Sequence, residues 1–177
     1  DVKGILEAYL GGQAGGAAVA NILYGIVNPS GKLAETIPVK LADNPSYLNF
    51  GGGDKVEYRE GVFVGYRYYD TFGVDVSYPF GYGGSYTSFA MSTKSVKADK
   101  DKVTVQVKVK NTGTVSGKEV AEVYFSAPEG NLDKPYQELA GYAKTDELAP
   151  GESQVLTITY DTTEMGSYDT DKAAYVM

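Results

Sequence analysis

Strictly alternating apolar and polar positions mark the clearest element of the chain. Valine occupies every second position from Val103 to Val109. The positions between and beside them are polar: Thr104, Gln106, Lys108 and Lys110. A period of two is typical of a strand with one buried face. We therefore predict a half-buried strand with its valines inward, since a slip of one residue would bury the polar set instead.

Two more runs of alternating apolar and polar residues follow, over residues 120–125 and 155–160, and turn sequences separate them. Asn111-Thr112-Gly113 and Pro150-Gly151 combine residues that favour turns. Short strands spaced by glycine-containing turns favour a β-sandwich of immunoglobulin or fibronectin type. The predicted inward positions are Val103, Val105, Val107, Val109, Ala121, Val123, Phe125, Leu156 and Ile158.

The first 40 residues have a different pattern, which indicates a mixture of helix and strand. Residues 2–10 form an apolar run that fits either a buried strand or a short helix. Over residues 17–24, Val19, Ile22 and Leu23 share one helical face, and Gly25 stands where a C-terminal cap belongs. Asn28-Pro29-Ser30-Gly31 predicts a turn, and residues 33–39 predict a short strand.

Residues 43–89 are rich in tyrosine and glycine. Val62, Val64, Tyr66 and Tyr68 alternate with Phe63, Gly65, Arg67 and Tyr69, which predicts a strand whose buried face is ambiguous. The fold class predicted is mostly β: a fibronectin III-like (immunoglobulin-type) sandwich, preceded by a short partial α/β segment and a long aromatic-rich connector. The predicted parts are residues 1–42, 43–89 and 90–177.

The composition of the chain argues against several kinds of binding site and catalytic site. The 177 residues carry a net charge of −7 and no histidine, cysteine or tryptophan. An acidic chain without a basic stripe argues against nucleic-acid binding. No apolar run reaches the roughly 18 residues that predict a membrane span. Without cysteine or histidine the usual transition-metal ligands and the usual general base are missing, so we predict neither a metal site nor a cofactor.

Several motifs, in this order, resemble family 3 glycoside hydrolases of the β-glucosidase type. They are residues 10–16 (LGGQAGG), 24–25 (YG), 28–33 (NPSGKL), 58–70 (YREGVFVGYRYYD), 78–89 (YPFGYGGSYTSF), and 109–113 (VKNTG) with 117–120 (GKEV). The resemblance implies that residues 1–42 close the family's α/β-sandwich domain. It implies that residues 90–177 are its fibronectin III-like domain, whose pattern continues through one more β-hairpin arm.

The resemblance also implies a retaining hydrolysis with a carboxylate nucleophile and a carboxylic acid/base. In the family the nucleophilic aspartate lies on a TIM-like barrel beside a tryptophan, and the acid/base glutamate lies upstream of the segment matched here. Neither position can be placed on this sequence, so we predict no catalytic residue and no activity for this chain alone. The implied partners are the barrel and the rest of the α/β domain, with carbohydrate bound by the full enzyme. The position of the barrel, before or after this segment, stays open, as does the sugar.

Some residues could still lie near a sugar or at an interface: Tyr58, Glu60, Arg67, Tyr68, Tyr69 and Asp70. Glu57 and Glu60 could be taken for an acid/base pair, but a neighbouring arginine favours the ionised form, which does not suit a general acid. We favour an ion pair between Glu60 and Arg67 that fixes the loop.

The tyrosines from Tyr58 to Tyr86 could stack on sugar rings or pack at a domain interface. We favour packing, because buried tyrosine contributes area and still satisfies its hydroxyl. Aromatic surface left uncovered would promote self-association. The alternatives to an enzyme portion are a stand-alone carbohydrate-binding module and a structural interaction module.

Overall fold

The computed structural model describes residues 2–177, and its organising unit is a small β-sandwich. One sheet has the order β3-β4-β7, formed by Phe89–Ala98, Lys102–Asn111 and Ser153–Asp161. The facing sheet pairs β5 (Val120–Phe125) with β6 (Glu138–Lys144). All these pairings are antiparallel.

The core of the sandwich lies where the predicted valine stripe meets the second sheet. Val103, Val105, Val107 and Val109 are buried, whereas Gln106 and Lys108 are exposed, so the predicted register is confirmed. Other members of the core cluster are Ala121, Leu148, Leu156, Ile158 and Tyr160. Of the remaining predicted inward residues, Val123 packs at its margin and Phe125 is half-buried.

Short elements surround the sandwich. Before it come α1 (Gly15–Leu23), β1 (Ile37–Pro38), a 3-10 turn (Leu41–Asp43), α2 (Tyr66–Phe72) and β2 (Val76–Tyr78). After β7 come a 3-10 turn (Thr162–Met165), β8 (Ser167–Asp169) and β9 (Ala174–Val176). β1 pairs with β2 and β8 with β9, each antiparallel.

The predicted helix over residues 17–24 is confirmed as α1, and Gly25 follows it with φ at 70°. Residues 2–10 form neither the buried strand nor the short helix that their apolar run suggested. Of the strand predicted over residues 33–39, only the two residues of β1 form.

The strand predicted through Val62–Tyr69 is wrong, because its second half is the helix α2. Nearly every position there is apolar or aromatic, so the pattern fits a period of 3.6 as well as a period of two. The decisive residues are the two flanking glycines. Gly65 has φ at 59° before the helix, and Gly73 adopts the left-handed conformation that ends it.

Candidate functional site

Helix α2 packs across the outer face of the β5–β6 sheet. The Tyr66 ring lies 5.0 Å from Phe80 and 5.8 Å from Tyr124, measured between ring centroids. The Tyr66 hydroxyl accepts a hydrogen bond from the backbone N–H of Leu139 at 2.8 Å. Edge and tilted ring contacts of this kind add to the area that they bury. These side chains therefore fasten the connector to the sandwich.

Polar side chains of α2 reach the same sheet and the loop before β6. The Arg67 guanidinium lies 3.1 Å from the carboxylate of Glu138, and Asp70 accepts a hydrogen bond from the Gln137 amide at 2.9 Å. Thr71 accepts one from the backbone N–H of Tyr136 at 2.9 Å.

The expected Glu60–Arg67 ion pair is therefore wrong. Glu60 precedes α2 by several residues, whereas Glu138 begins the strand that α2 crosses, so the helix turns the guanidinium toward β6. We name the surface formed by Tyr66, Arg67, Asp70, Thr71 and Phe80 the connector face.

The other candidate residues from the sequence do not converge on one site. Tyr58 is 87% exposed, and the neighbouring Glu57–Arg59 pair, at 2.5 Å, is exposed as well. Tyr69 is the buried residue of α2, and burial raises the pKa of its hydroxyl. Tyr68 packs on Tyr69 at 5.3 Å. The structure thus brings Arg67 and Asp70 to the sandwich and leaves Tyr58 in solvent.

Glu122 and Tyr124 form a hydrogen-bonded acid–hydroxyl pair beneath the connector face. The Tyr124 hydroxyl donates to the Glu122 carboxylate at 2.7 Å. Burial, followed by this hydrogen bond, raises the pKa of Tyr124. The phenol therefore stays protonated at neutral pH and acts as a donor. A Cβ at Gly81 would collide with the Glu122 carboxylate, so this glycine permits the close approach of the loop.

A second set of contacts joins residues 28–33 to the end of the sandwich. The Asn28 amide donates to the carbonyl of Ser116 at 2.9 Å and accepts from the Ser85 hydroxyl and the Tyr86 backbone. A Cβ on Gly117 would lie 2.5 Å from the Asn28 amide nitrogen. Glycine is therefore required there for the two segments to meet.

Lysine side chains complete this junction. Lys32 lies 2.6 Å from Glu119, with both side chains mostly buried, and it also donates to the carbonyl of Gly83. Lys144 donates to the carbonyl of Ser30 at 2.9 Å. A cavity of about 330 Å³ remains beside these groups, lined in part by Val27 and Lys118. We name Asn28, Lys32 and Glu119, with their partners, the junction.

Asn111 holds the sandwich side of the junction together. It is fully buried, and its amide donates to the carbonyls of Val115 and Leu148 at 2.8 and 2.9 Å. Its side-chain oxygen accepts from Gly113 and from the Thr87 hydroxyl. All hydrogen-bonding capacity of this side chain is used, as a buried amide requires.

Four organising residues were not predicted from the sequence: Asn28, Lys32, Asn111 and Glu119. All four lie inside the motifs that carried the family resemblance, and each is a polar residue next to a glycine-containing turn. Such a residue is a candidate for capping backbone groups between segments. The partners, however, are separated by up to 88 positions, so only the fold identifies them.

Within residues 2–177 the structure has no group of three or more acidic side chains placed to hold a metal ion. In the same part of the chain, no helix is long and apolar enough to cross a bilayer.

Two known families match parts of this chain. Residues 1–66 match the glycosyl hydrolase family 3 C-terminal domain, and residues 119–177 match a fibronectin type III-like domain. The chain corresponds to the carboxy-terminal region of family 3 glycoside hydrolases. The resemblance inferred from the motifs is thereby confirmed.

Similar proteins extend this family assignment. Thermostable beta-glucosidase B of Acetivibrio thermocellus is 52% identical over 96% of this chain, which spans 23% of that protein. An exo-alpha-(1->6)-L-arabinopyranosidase of Bifidobacterium longum is 45% identical over 91% of this chain and 21% of its own length. The structure of beta-glucosidase 3B from Thermotoga neapolitana in complex with glucose superposes with a TM-score of 0.85, at 46% identity, over 89% of this chain and 22% of that one. The relatives thus contain a large region that has no counterpart in this chain.

Proposed function

We propose that this chain is a non-catalytic portion of a retaining glycoside hydrolase of β-glucosidase type, and that it braces the domains that carry the chemistry. The observation that supports this function best is the connector face. Its aromatic and charged side chains make their contacts with the β5–β6 sheet, through Tyr124 and Glu138 among others. The same side chains are therefore not available to surround a sugar ring.

The brace has two separate attachments on the sandwich. The connector face covers the outside of β5 and β6, and the junction holds residues 28–33 against the loop that precedes β5. Two attachments on one rigid sandwich fix the orientation of the N-terminal residues better than either alone. Exposed apolar side chains of that segment, such as Leu10 and Leu48, then offer surface for the rest of the enzyme.

The proposed substrates of the full enzyme are β-glucosides or oligosaccharides. Similar proteins include both a beta-glucosidase and an exo-alpha-(1->6)-L-arabinopyranosidase. The test on the full-length enzyme is the anomer released first from an aryl β-glucoside, followed by NMR. Retention of configuration is expected, and inversion would contradict the proposal.

The purified 177-residue chain should not hydrolyse an aryl β-glucoside at a rate above that of a mock preparation.

In the full-length enzyme, exchanging Lys32→Met should lower the thermal midpoint while kcat of the folded enzyme stays close to wild type. A large loss of kcat with an unchanged midpoint would place Lys32 in the chemistry instead and refute the bracing role.

A carbohydrate-binding module is the second candidate, favoured by the exposed rings of Tyr58 and Phe50. Exposed aromatic rings can stack on the apolar face of a sugar. Calorimetric titration of the chain with methyl β-glucoside separates the two functions. Saturable binding that is lost in Tyr58→Ala and kept in Tyr142→Ala, another exposed tyrosine, would favour the module. Binding in both variants, or in neither, favours the brace.

A further inference from the structure

Lysine is the main charged residue on the outer face of the three-stranded sheet. Directly opposed residues of an antiparallel ladder point to the same side of a sheet. The valine stripe is the inward set of β4, so the residues between the valines, with their partners on β3 and β7, form the outer face. Its exposed lysines are Lys94, Lys97, Lys108 and Lys110. We name these four residues the lysine ridge.

A bulge in β3 adds one lysine to this face. The register shifts between Thr93 and Ser95, so two residues, Lys94 and Ser95, stand opposite the single outward residue Gln106. The Ser95 hydroxyl donates to the Gln106 side chain at 3.2 Å. From Val96 onward, β3 pairs with the inward valine set again. Because a β-bulge re-aims a side chain in this way, Lys94 joins the outer face.

The four lysines follow a line along the boundary between β3 and β4. Lys97 stands opposite Thr104, which is six positions before Lys110 on β4. Because a strand rises about 3.4 Å per residue, the ridge is roughly 20 Å long. Lys108 and Lys94 lie between its ends, so neighbouring lysines are about 5–8 Å apart along the strand direction. The cations therefore form a row.

The lysine ridge has no acidic partner within residues 2–177. Lys102, beyond the ridge, pairs with Asp161 at the end of the sheet. Asp99 accepts hydrogen bonds from the backbone of the β3–β4 hairpin, and Glu152 accepts one from the backbone N–H of Ala149. Since the whole chain has a net charge of −7, the ridge is a local reversal of the charge of this protein.

The described part of the chain leaves this face open to solvent. The connector face and the junction attach to the other side of the sandwich, at β5, β6 and the loop before β5. The ridge points away from the valine core, so a strand that extends the core would not cover it. Protein interfaces usually have an apolar centre with few charged residues. The neighbours of the ridge are instead mostly hydroxyl and amide side chains: Ser92, Ser95, Thr104, Gln106, Thr157 and Thr159.

We propose that the lysine ridge binds a linear polysaccharide that carries carboxylates and lies along β3 and β4. Each sugar of a polyuronate offers one carboxylate to a lysine, and its hydroxyl groups can exchange hydrogen bonds with the neighbouring serine, threonine and glutamine side chains. A row of cations on a flat face matches a linear chain with one negative charge per sugar. This inference is independent of the glycosidase assignment, because it rests on this sheet alone.

A nucleic acid fits the same face less well. Each strand of DNA carries one phosphate per roughly 3.4 Å, which is closer than the spacing of the lysines. Proteins that bind single strands add aromatic rings on which the bases stack, and the outer positions of β3, β4 and β7 contain no aromatic residue. The acidic remainder of the chain would also repel a dense phosphate backbone.

The test is calorimetric titration of the 177-residue chain with an oligogalacturonate long enough to span the ridge. The control ligand is the same oligomer with its carboxylates methyl-esterified, which keeps the hydroxyl groups and removes the charge. We expect saturable binding of the acid form that weakens by about tenfold or more from low to high salt, because the ion pairs lie at the surface. Equal binding of both oligomers, or binding of neither, would overturn the proposal.

Matched lysine variants locate the binding surface. Lys108→Gln combined with Lys110→Gln removes two cations of the ridge, whereas Lys55→Gln combined with Lys118→Gln removes two exposed cations elsewhere. Circular dichroism establishes that both variants fold. Affinity should fall by about tenfold or more in the first and stay within about twofold in the second, and Lys108→Arg combined with Lys110→Arg should retain it. An equal loss in both glutamine variants would assign the effect to net charge and overturn the proposal.

Two further results would assign the ridge to a different occupant. Tighter binding of an oligothymidylate with the same number of charges would identify a nucleic-acid surface. Concentration-dependent dimerisation of wild type, abolished by Lys108→Gln combined with Lys110→Gln, would identify a second copy of the chain as the occupant. Analytical ultracentrifugation measures the dimerisation, and either result overturns the proposal.

Discussion

The two ends of this chain use apolar residues in opposite ways. From β3 to β7, valine, leucine and isoleucine form a buried cluster between two sheets. Over residues 2–58, Thr36 is the buried residue, while Leu10 is fully exposed and Leu48 is 94% exposed. The difference shows that apolar content alone does not make a core. Strands in the sandwich cover one another, whereas residues 2–58 contain a single two-residue strand, β1, which pairs with the three-residue β2 further along the chain.

The comparison also explains why the N-terminal segment is ordered by polar contacts. With few neighbours to pack on, its fixed points are hydrogen bonds and ion pairs to the sandwich, at Asn28 and Lys32. Its apolar side chains remain as surface. Large exposed apolar surface usually marks a region that another polypeptide covers, which agrees with relatives that are several times longer than this chain.

The largest effect on stability is expected at Asn111. Asn111→Ala removes four hydrogen bonds of a fully buried side chain, with Thr87, Gly113, Val115 and Leu148. Because each hydrogen bond contributes about 0.5–1.5 kcal/mol net, the free energy of unfolding should fall by roughly 3 kcal/mol or more. Urea denaturation followed by fluorescence measures this change.

The matched control for Asn111 is Asn49→Ala in the N-terminal segment. The Asn49 amide also donates to a backbone carbonyl, that of Glu57, but the contact is exposed. Water replaces an exposed partner, so the loss there should stay below about 1 kcal/mol. Similar losses at the two sites would break the distinction between the two ends of the chain.

A smaller loss is expected when a core valine is shortened. Val109 is completely buried, and Val109→Ala removes its two terminal methyl groups and leaves a cavity, at a cost of about 1–3 kcal/mol. The same change at Val39, which is 59% exposed, should alter the free energy of unfolding by no more than about 0.5 kcal/mol. Differential scanning calorimetry of both variants gives the comparison. If Val39→Ala is the more harmful, the N-terminal segment has a core of its own.

The junction should respond to loss of its ion pair by an intermediate amount. Lys32→Met leaves Glu119 mostly buried without its cation, for which we expect about 1–2 kcal/mol. The exposed Lys102–Asp161 pair, at 3.9 Å, is the control, and Lys102→Met should cost less than about 0.5 kcal/mol. Chemical denaturation measures both. Faster proteolysis of the N-terminal segment in Lys32→Met alone would show that this pair holds the segment in place, and equal proteolysis would exclude it.

The sandwich could be predicted from the sequence because its pattern has one interpretation. The valines from Val103 to Val109 fit a period of two and no helical period, and their register proved correct. Helix α1 was predictable for the same reason, since its apolar face ends at a glycine. Helix α2 was not, because the mostly apolar run over residues 62–69 fits a strand as well as a helix, and the boundaries of α2 depend on backbone angles at Gly65 and Gly73.

The contacts between segments were predictable only in kind. An interface role for Arg67 and Asp70 was expected. The partner of Arg67, however, is Glu138, which lies 71 positions further along the chain. Partners at such separations are chosen by the packing of elements, which local periodicity does not contain. Whether Tyr58, Glu60 and Tyr68 lie near a sugar in the full enzyme stays a prediction, as do the boundaries 1–42, 43–89 and 90–177.

The smallest effect concerns the hairpin between β3 and β4, and it depends on pH. The Asp99 carboxylate accepts hydrogen bonds from the backbone N–H groups of Asp101 and Lys102 at 2.9 and 2.8 Å, and these lower the pKa of Asp99. A carboxyl group whose pKa is lower in the folded state stabilises the fold above its unfolded pKa of about 4. That contribution is lost as the pH falls through the folded pKa. Wild type should therefore exceed Asp99→Asn in stability at pH 7, with the difference shrinking at pH 3.

Urea midpoints of wild type and Asp99→Asn at the two pH values measure this difference in stability, with Asp54→Asn in the N-terminal segment as the control. An equal, equally pH-dependent change at Asp54 would assign the effect to net charge, because Asp54 lies outside the sandwich and shares only its charge with Asp99.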